Sequence, residues 1–177
     1  MNEQDLRIRK TKQALQQALI DKLEVQPFSK TSVKALCEQA NVARVTFYKH
    51  YRDRDDLLYD VLTAQTLPVE QVPIKTLLST PFSVFPKIVR APLIKLLKAQ
   101  SSDSGFQSVS REYFYNYYME VFKHTTFKSN LPRELVAYTL VNNAFSFFEW
   151  QSTYQVQTTT DEMNRLFGLL VNLKNVY

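Results

Sequence analysis

Between residues 15 and 23 the apolar side chains Leu15, Ala18, Leu19 and Leu23 return every three or four positions, the period of one face of an α-helix. Pro27 closes that segment, since proline lacks an amide hydrogen and its ring clashes with the preceding turn. A second apolar face follows in Val33, Leu36, Cys37 and Ala40. Thr31 or Ser32 stands where a helix cap is needed, and Asn41 tolerates the left-handed turn usually given to glycine. A third, short helix is predicted from about Ala43. Asp53 then caps a fourth, with Asp55 and Asp56 in its first turn, where the helix dipole favours negative charge, and Leu57, Leu58, Val61 and Leu62 on its apolar side.

The pattern changes further along. Five of the seven prolines, Pro68, Pro73, Pro81, Pro86 and Pro92, fall in one stretch and discourage helix just before each of them, so a seam is placed near residue 67. This divides the chain into residues 1–66 and 67–177. The stretch SSDSG, residues 101–105, reads as a loop between helices. Residues 110–124, SREYFYNYYMEVFKH, carry Phe114, Tyr117, Tyr118, Val121 and Phe122 at helical spacing. From Leu135 to Tyr154 the apolar residues run nearly all round, including Val136, Leu140, Val141, Ala144, Phe145, Phe148 and Trp150, so that helix needs cover on more than one side. Residues 161–176 show one stripe through Met163, Leu166, Phe167 and Leu170 and a second through Leu169, Leu173 and Val176. Two stripes need two partners. Pairing these last two helices with their copies about a two-fold axis, with Gly168 allowing close approach, is the economical solution.

Composition narrows the class. With 177 residues, 45% hydrophobic and 22% charged, the chain can bury a substantial core, and only Gly105 and Gly168 are glycines, which favours an all-α fold over Gly-rich loops. The single cysteine, Cys37, cannot pair within the chain, and the opening MNEQDLRIRK lacks the apolar core of a signal peptide, so a cytoplasmic protein is expected. The run Leu135–Phe148 is too short to span a bilayer and contains Asn142 and Asn143, so no membrane association is expected. Two histidines far apart, His50 and His124, one cysteine on an apolar face and the lack of metal-ligand spacing or a phosphate loop argue against an enzyme, a metal site or a bound cofactor. Cys37 is expected to be a small buried hydrophobe and His124 a surface residue.

Charge adds a location. Residues 1–54 hold eleven Lys or Arg against six Asp or Glu, whereas residues 55–177 hold eleven of each. Within the basic third, NVARVTFYKHY (41–51) interleaves cationic and aromatic residues. On a helix, Phe47 and Tyr51 share one face, free to complete a small core, while Arg44, Val45, Tyr48 and Lys49 take the opposite arc. Two helices joined by a tight turn, the second offering cations and hydrogen-bonding groups, meet the needs of a helix-turn-helix entering the major groove of double-stranded DNA. Arg44 and Lys49 reach phosphates or guanine edges in such a pose, Val45 a thymine methyl and Tyr48 a phosphate oxygen. The bland alternative is a solvated helical face on a small bundle.

The run Arg44, Thr46, Phe47, Tyr48, His50, Tyr51, Asp53, Arg54, Asp56, Leu57, Leu58, preceded by TSVKALCEQANV, resembles the N-terminal domain of TetR-type transcriptional regulators over roughly residues 7–66. Asn41 stands where glycine is usual and Arg54 where lysine is usual. The resemblance implies that Ser32, Thr46, Tyr48 and His50 clamp phosphates with help from Arg54, which leaves Arg44, Val45 and Lys49 as candidates for reading bases. It also implies an N-terminal three-helix helix-turn-helix domain, a C-terminal helical regulatory and dimerisation domain, and a homodimeric, ligand-responsive repressor on a palindromic operator. Residues AYTLVNNAFSFFEWQSTYQVQTTTDEM (137–163) are similar to the regulatory domain of the subset that includes the dihydroxyacetone-kinase operon regulators, a similarity that names no effector.

Two further readings bear on function. Phe114, Tyr117, Tyr118, Phe148 and Trp150 are candidates for a small-molecule pocket, with Glu112, Glu120 and Glu149 supplying charge near an aromatic cage, although core packing explains the same spacing. A helical co-regulator that keeps the fold but acts on protein partners is the alternative to a DNA-binding repressor.

Overall fold

The computed structural model describes residues 3–171, which fold into helices joined by short loops with no strand among them. Helix α1 spans Glu3–Val25 and buries Leu15, Ala18, Leu19 and Leu23 before Pro27 stops it. A 3-10 turn, Phe28–Lys30, leads into α2, Val33–Ala40, whose first turn is capped by Ser32: its Oγ accepts the Ala35 N–H at 3.2 Å. Asn41 ends α2 in the left-handed region (φ 52°, ψ 44°), and the Val42 N–H returns to the Cys37 carbonyl. Cys37 is buried, and that burial pushes its thiol pKa up, against an opposing pull from Arg44. Helix α3 is only Arg44–Phe47, but the Lys49, His50 and Tyr51 amides continue to bond back to Thr46 and Phe47, so the turn runs on to Tyr51 in tightened form. Helix α4, Arg54–Ala64, begins at Asp53, whose Oδ1 accepts the Asp56 N–H at 2.8 Å.

The seam near residue 67 is stitched on both sides. Thr66 forms an isolated antiparallel bridge with Val89, the Leu67 N–H donates to the Ile88 carbonyl and the Arg90 N–H to the Gln65 carbonyl. The proline-rich stretch folds into three short helices, α5 (Ile74–Ser79), α6 (Pro81–Ile88) and α7 (Ala91–Ala99). Pro81 and Pro92 occupy first turns, where the missing amide has no intrahelical partner to lose. Residues 101–103 form the expected loop, but Ser104 and Gly105 already belong to α8, Ser104–Val121, which Asp103 caps. Helices α9 (Arg133–Thr153) and α10 (Thr160–Leu170) complete the described chain. Leu173 and Val176, assigned to the second stripe, lie outside the described residues.

One core runs through all of this, from Leu15 and Leu19 in α1 to Met163 and Phe167 in α10. Helix α8 packs on α4 through Tyr59 and Tyr113, with ring centroids 5.1 Å apart, and α6 wedges Phe82 against Phe147 of α9 and Phe167 of α10. Among the described residues no helix is long and apolar enough to cross a membrane.

Candidate nucleic-acid interface

The short third helix separates its residues into two surfaces, as the spacing predicts. Phe47 is fully buried and Tyr51 nearly so, while Arg44, Val45, Tyr48 and Lys49 are exposed, Val45 at 67% and Tyr48 at 52%. Burying Phe47 and tying Tyr51 to α1 and α4 is what aims the opposite face outward. The Phe47 ring lies 5.4 Å from that of Tyr48 and 5.6 Å from that of Tyr51. The Tyr51 hydroxyl donates to Asp60 Oδ2 on α4, which also receives Lys12 and Gln16 from α1, each at 3.0 Å. Burial pushes the Asp60 carboxyl up, but hydrogen bonds from Tyr51, Lys12 and Gln16 outweigh it and hold its pKa below the ordinary value. Burial, with the Asp60 bond, drives the Tyr51 phenol far up, so it stays a donor.

Ser32 is exposed at the start of α2, and Thr46 and His50 are half-buried on the flanks of α3. Two exposed cations nearby are paired along their own helical turns, Lys34 with Glu38 at 3.8 Å and Arg52 with Asp56 at 3.3 Å. Arg54 departs from the rest of the predicted set. Its Nη1 lies 2.8 Å from the Phe28 carbonyl, 3.0 Å from Ser29 and 2.7 Å from Thr31, and its guanidinium sits 4.6 Å from the centre of the Phe28 ring. The arginine thus satisfies the carbonyls of the turn before α2 and organises that turn through its Nη1.

Residues 22–61 match the family model described as bacterial regulatory proteins, tetR family. That span runs from the end of α1 to the middle of α4 and contains both surfaces of α3. This segment is of the TetR type. The chain is 30% identical over 110 residues to an uncharacterized HTH-type transcriptional regulator, YxbF, of Bacillus subtilis; those residues are 62% of this chain and 28% of YxbF. Its fold is similar to that of native NalD, the secondary repressor of the MexAB-OprM multidrug efflux pump in Pseudomonas aeruginosa (TM-score 0.61, 14% identity, 96% of this chain and 98% of that one). A TetR transcriptional regulator from Streptococcus agalactiae gives the same TM-score, 0.61, at 22% identity, over 95% of this chain and 97% of that one.

The five residues expected to line a small-molecule pocket do not share one cavity. Phe114, Tyr117 and Tyr118 are buried in α8, and Phe114 and Phe148 each pack on Phe85 with centroids 5.7 Å away. The Tyr117 hydroxyl is spent on the Leu67 carbonyl at 2.9 Å. Trp150 instead lines a separate cleft of about 400 Å³ between α9 and α10, with Phe147, Leu166, Leu169 and Leu170. Glu112, Glu120 and Glu149 are exposed, and Glu120 pairs with Lys123, so they face water rather than a cage. An α-helical period cannot distinguish rings that pack on each other from rings that surround a ligand.

Three contributors escaped the sequence reading: Asp60, the acceptor behind the interface, and Gln100 and Asp103, which reach the Phe28–Lys30 turn from the other half of the chain. Gln100 and Asp103 reach Phe28 and Ser29 from more than seventy residues away, and Asp60 draws Lys12 and Gln16 from α1, so no local pattern marks these contacts.

Proposed function

We propose that this TetR-type regulator acts as a homodimeric, ligand-responsive repressor that places one α3 from each subunit in successive major grooves of a palindromic operator. One observation carries the reading: Arg44, Val45, Tyr48 and Lys49 stand together on the exposed side of a helix whose other side is fixed by Phe47 and Tyr51. Ser32, Thr46, Tyr48 and His50 are the phosphate contacts, and Arg44, Val45 and Lys49 read base edges. Exposed Leu169 (71%) and Leu170 (74%) beside half-buried Trp150 and Leu166 support the dimer, because an apolar strip of this kind gains by covering itself with its own copy. The space around Gly168 is open, consistent with a close approach there. Repression is supported by the likeness of fold to NalD, which is described as a repressor.

A small molecule that enters the C-terminal helices and binds one spacing of the two α3 helices more tightly than the other shifts the DNA equilibrium by that difference. Selection of bound fragments from random duplex DNA tests the core of the reading. The expected product is a palindrome with half-sites about one helical turn (~34–36 Å) or a multiple apart, bound with an affinity that falls steeply with salt. A monomer that enriches no duplex in dilute buffer overturns the proposal and leaves a co-regulator acting on protein partners.

A further inference from the structure

The turn Phe28–Lys30 joins α1 to the cap of α2, and its polar groups are divided between two owners. Two of its amides, those of Phe28 and Ser29, go to the C-terminal half of the chain, while the Lys30 N–H returns to the Pro27 carbonyl. Gln100, 4% exposed in the turn after α7, accepts the Phe28 N–H at Oε1 (3.0 Å) and donates through Nε2 to the Leu23 carbonyl (2.7 Å) and the Gln26 carbonyl (2.9 Å). It caps the C-terminus of α1 from outside, satisfying carbonyls that the helix cannot. Asp103, 7% exposed, uses one carboxylate for two tasks: Oδ2 accepts the Ser29 N–H at 2.8 Å, and Oδ1 accepts the Phe106 N–H at 2.9 Å to cap α8. Phe28 and Phe106, both fully buried, meet edge to face beside them with centroids 6.3 Å apart.

The carbonyls of the same segment go the other way. Phe28, Ser29 and Thr31 present theirs to Arg54 at the head of α4. The turn is therefore gripped through the Phe28 and Ser29 N–H groups by Gln100 and Asp103 and through the Phe28, Ser29 and Thr31 carbonyls by Arg54. Ser32, the cap of α2 and a proposed phosphate contact, comes three residues after Ser29. Displacing residues 100–103 displaces the backbone that carries Ser32, because the buried Phe28 amide cannot be left unpaired without cost and the part-buried Ser29 amide is held beside it.

We propose that Gln100 and Asp103 are positioning residues for DNA binding, holding the start of α2 in the pose that the duplex requires and making residues 100–103 the point through which the C-terminal helices act on that pose. This rests on the DNA-binding function proposed above. With the grip released, the α1–α2 turn samples more poses, and DNA must select one of them at the expense of affinity.

The test uses the full chain and the duplex selected by the wild-type protein. Asp103→Ser keeps a good cap for α8 but is too short to reach Ser29, and Gln100→Met keeps length and apolar packing while removing every polar contact. Lys95→Ala is the control, since it breaks the exposed Lys95–Glu24 pair between the same two halves (2.9 Å) without touching the turn. Amide exchange at Ser29 is expected to rise on the order of tenfold in Asp103→Ser. Binding of the selected duplex, measured well below the unfolding temperature, is expected to weaken on the order of fivefold or more in both variants while the control stays within about twofold of wild type. Faster exchange at Ser29 with equal or tighter DNA binding overturns this inference and leaves the proposed function standing. A wild-type chain that selects no duplex removes the proposed function and takes this inference with it.

Discussion

The Tyr51 hydroxyl donates to Asp60 Oδ2 across 2.6 Å, tying the end of the recognition segment to the middle of α4. Lys12 approaches the same carboxylate oxygen and also lies 5.3 Å from the centre of the Tyr51 ring, so α1, α4 and the recognition segment meet at one point. Tyr51→Phe keeps the ring and removes the bond. A hydrogen bond to a carboxylate contributes about 1.5 kcal/mol, so the urea midpoint is expected to fall by the corresponding amount with m unchanged. An unaltered midpoint would show that Lys12 and Gln16 suffice for Asp60.

Acid should loosen this arrangement in a defined direction. Asp60 and Asp103 are raised by burial but lowered more by their hydrogen bonds, and Asp56 is lowered first by the Arg52 backbone N–H; all three end below the ordinary aspartate value of 3.8. A depressed folded-state pKa contributes stability that is complete above the unfolded value and is lost as pH falls through the folded one. Stability is therefore expected to be flat in this respect above about pH 5 and to decline below pH 4. Asp60→Asn should flatten that decline when urea midpoints are followed from pH 7 to pH 3.

The Arg54 guanidinium makes a different claim on the same domain. Arg54→Ala removes the shared donor to the Phe28, Ser29 and Thr31 carbonyls, of which Phe28 keeps the Thr31 N–H, and is expected to cost roughly 1–2 kcal/mol of unfolding free energy. Arg54→Lys supplies three donors on a flexible stem and should recover much of it. Equal stability for the alanine variant and wild type would show that these carbonyl contacts do not hold the turn.

On the exposed side of α3 the contacts should sort by their chemistry. Arg44→Ala and Val45→Ala are expected to relax preference at particular base pairs, each at a cost of about 1–3 kcal/mol on the preferred duplex. Tyr48→Phe should weaken binding to preferred and unrelated duplexes alike, because a phosphate contact carries no sequence information. Quantitative binding to a panel of single-base variants checks both, and altered sequence preference in Tyr48→Phe would overturn this division.

How much of this was legible depended on how local the cause was. Asn41, Asp53, and Phe47 with Tyr51 could be placed from sequence because a left-handed turn, a helix cap and a four-residue aromatic spacing are set by neighbours in the chain. The carbonyl partners of Arg54 were not legible because they come from another turn, nor were the ring contacts of the α8 tyrosines, because packing alone decides whether rings meet each other or a ligand. Gln100 and Asp103 look like ordinary loop polar residues until the fold brings them to Phe28 and Ser29.

The last two helices present the remaining test. Leu169 and Leu170 are largely exposed on α10 beside the cleft that Trp150 and Phe147 line. Burying a leucine side chain contributes about 1.5–3 kcal/mol, and a two-fold axis applies each contribution twice, so the double variant Leu169→Asp, Leu170→Asp removes apolar gain and adds charge on both sides of the interface. Light scattering should then report a monomer whose helical content is unchanged, since neither side chain belongs to the chain's own core. Such a monomer should bind a full palindrome and a single half-site equally weakly, because the second recognition helix no longer arrives with the first. A variant that remains dimeric places the self-association surface elsewhere on the chain.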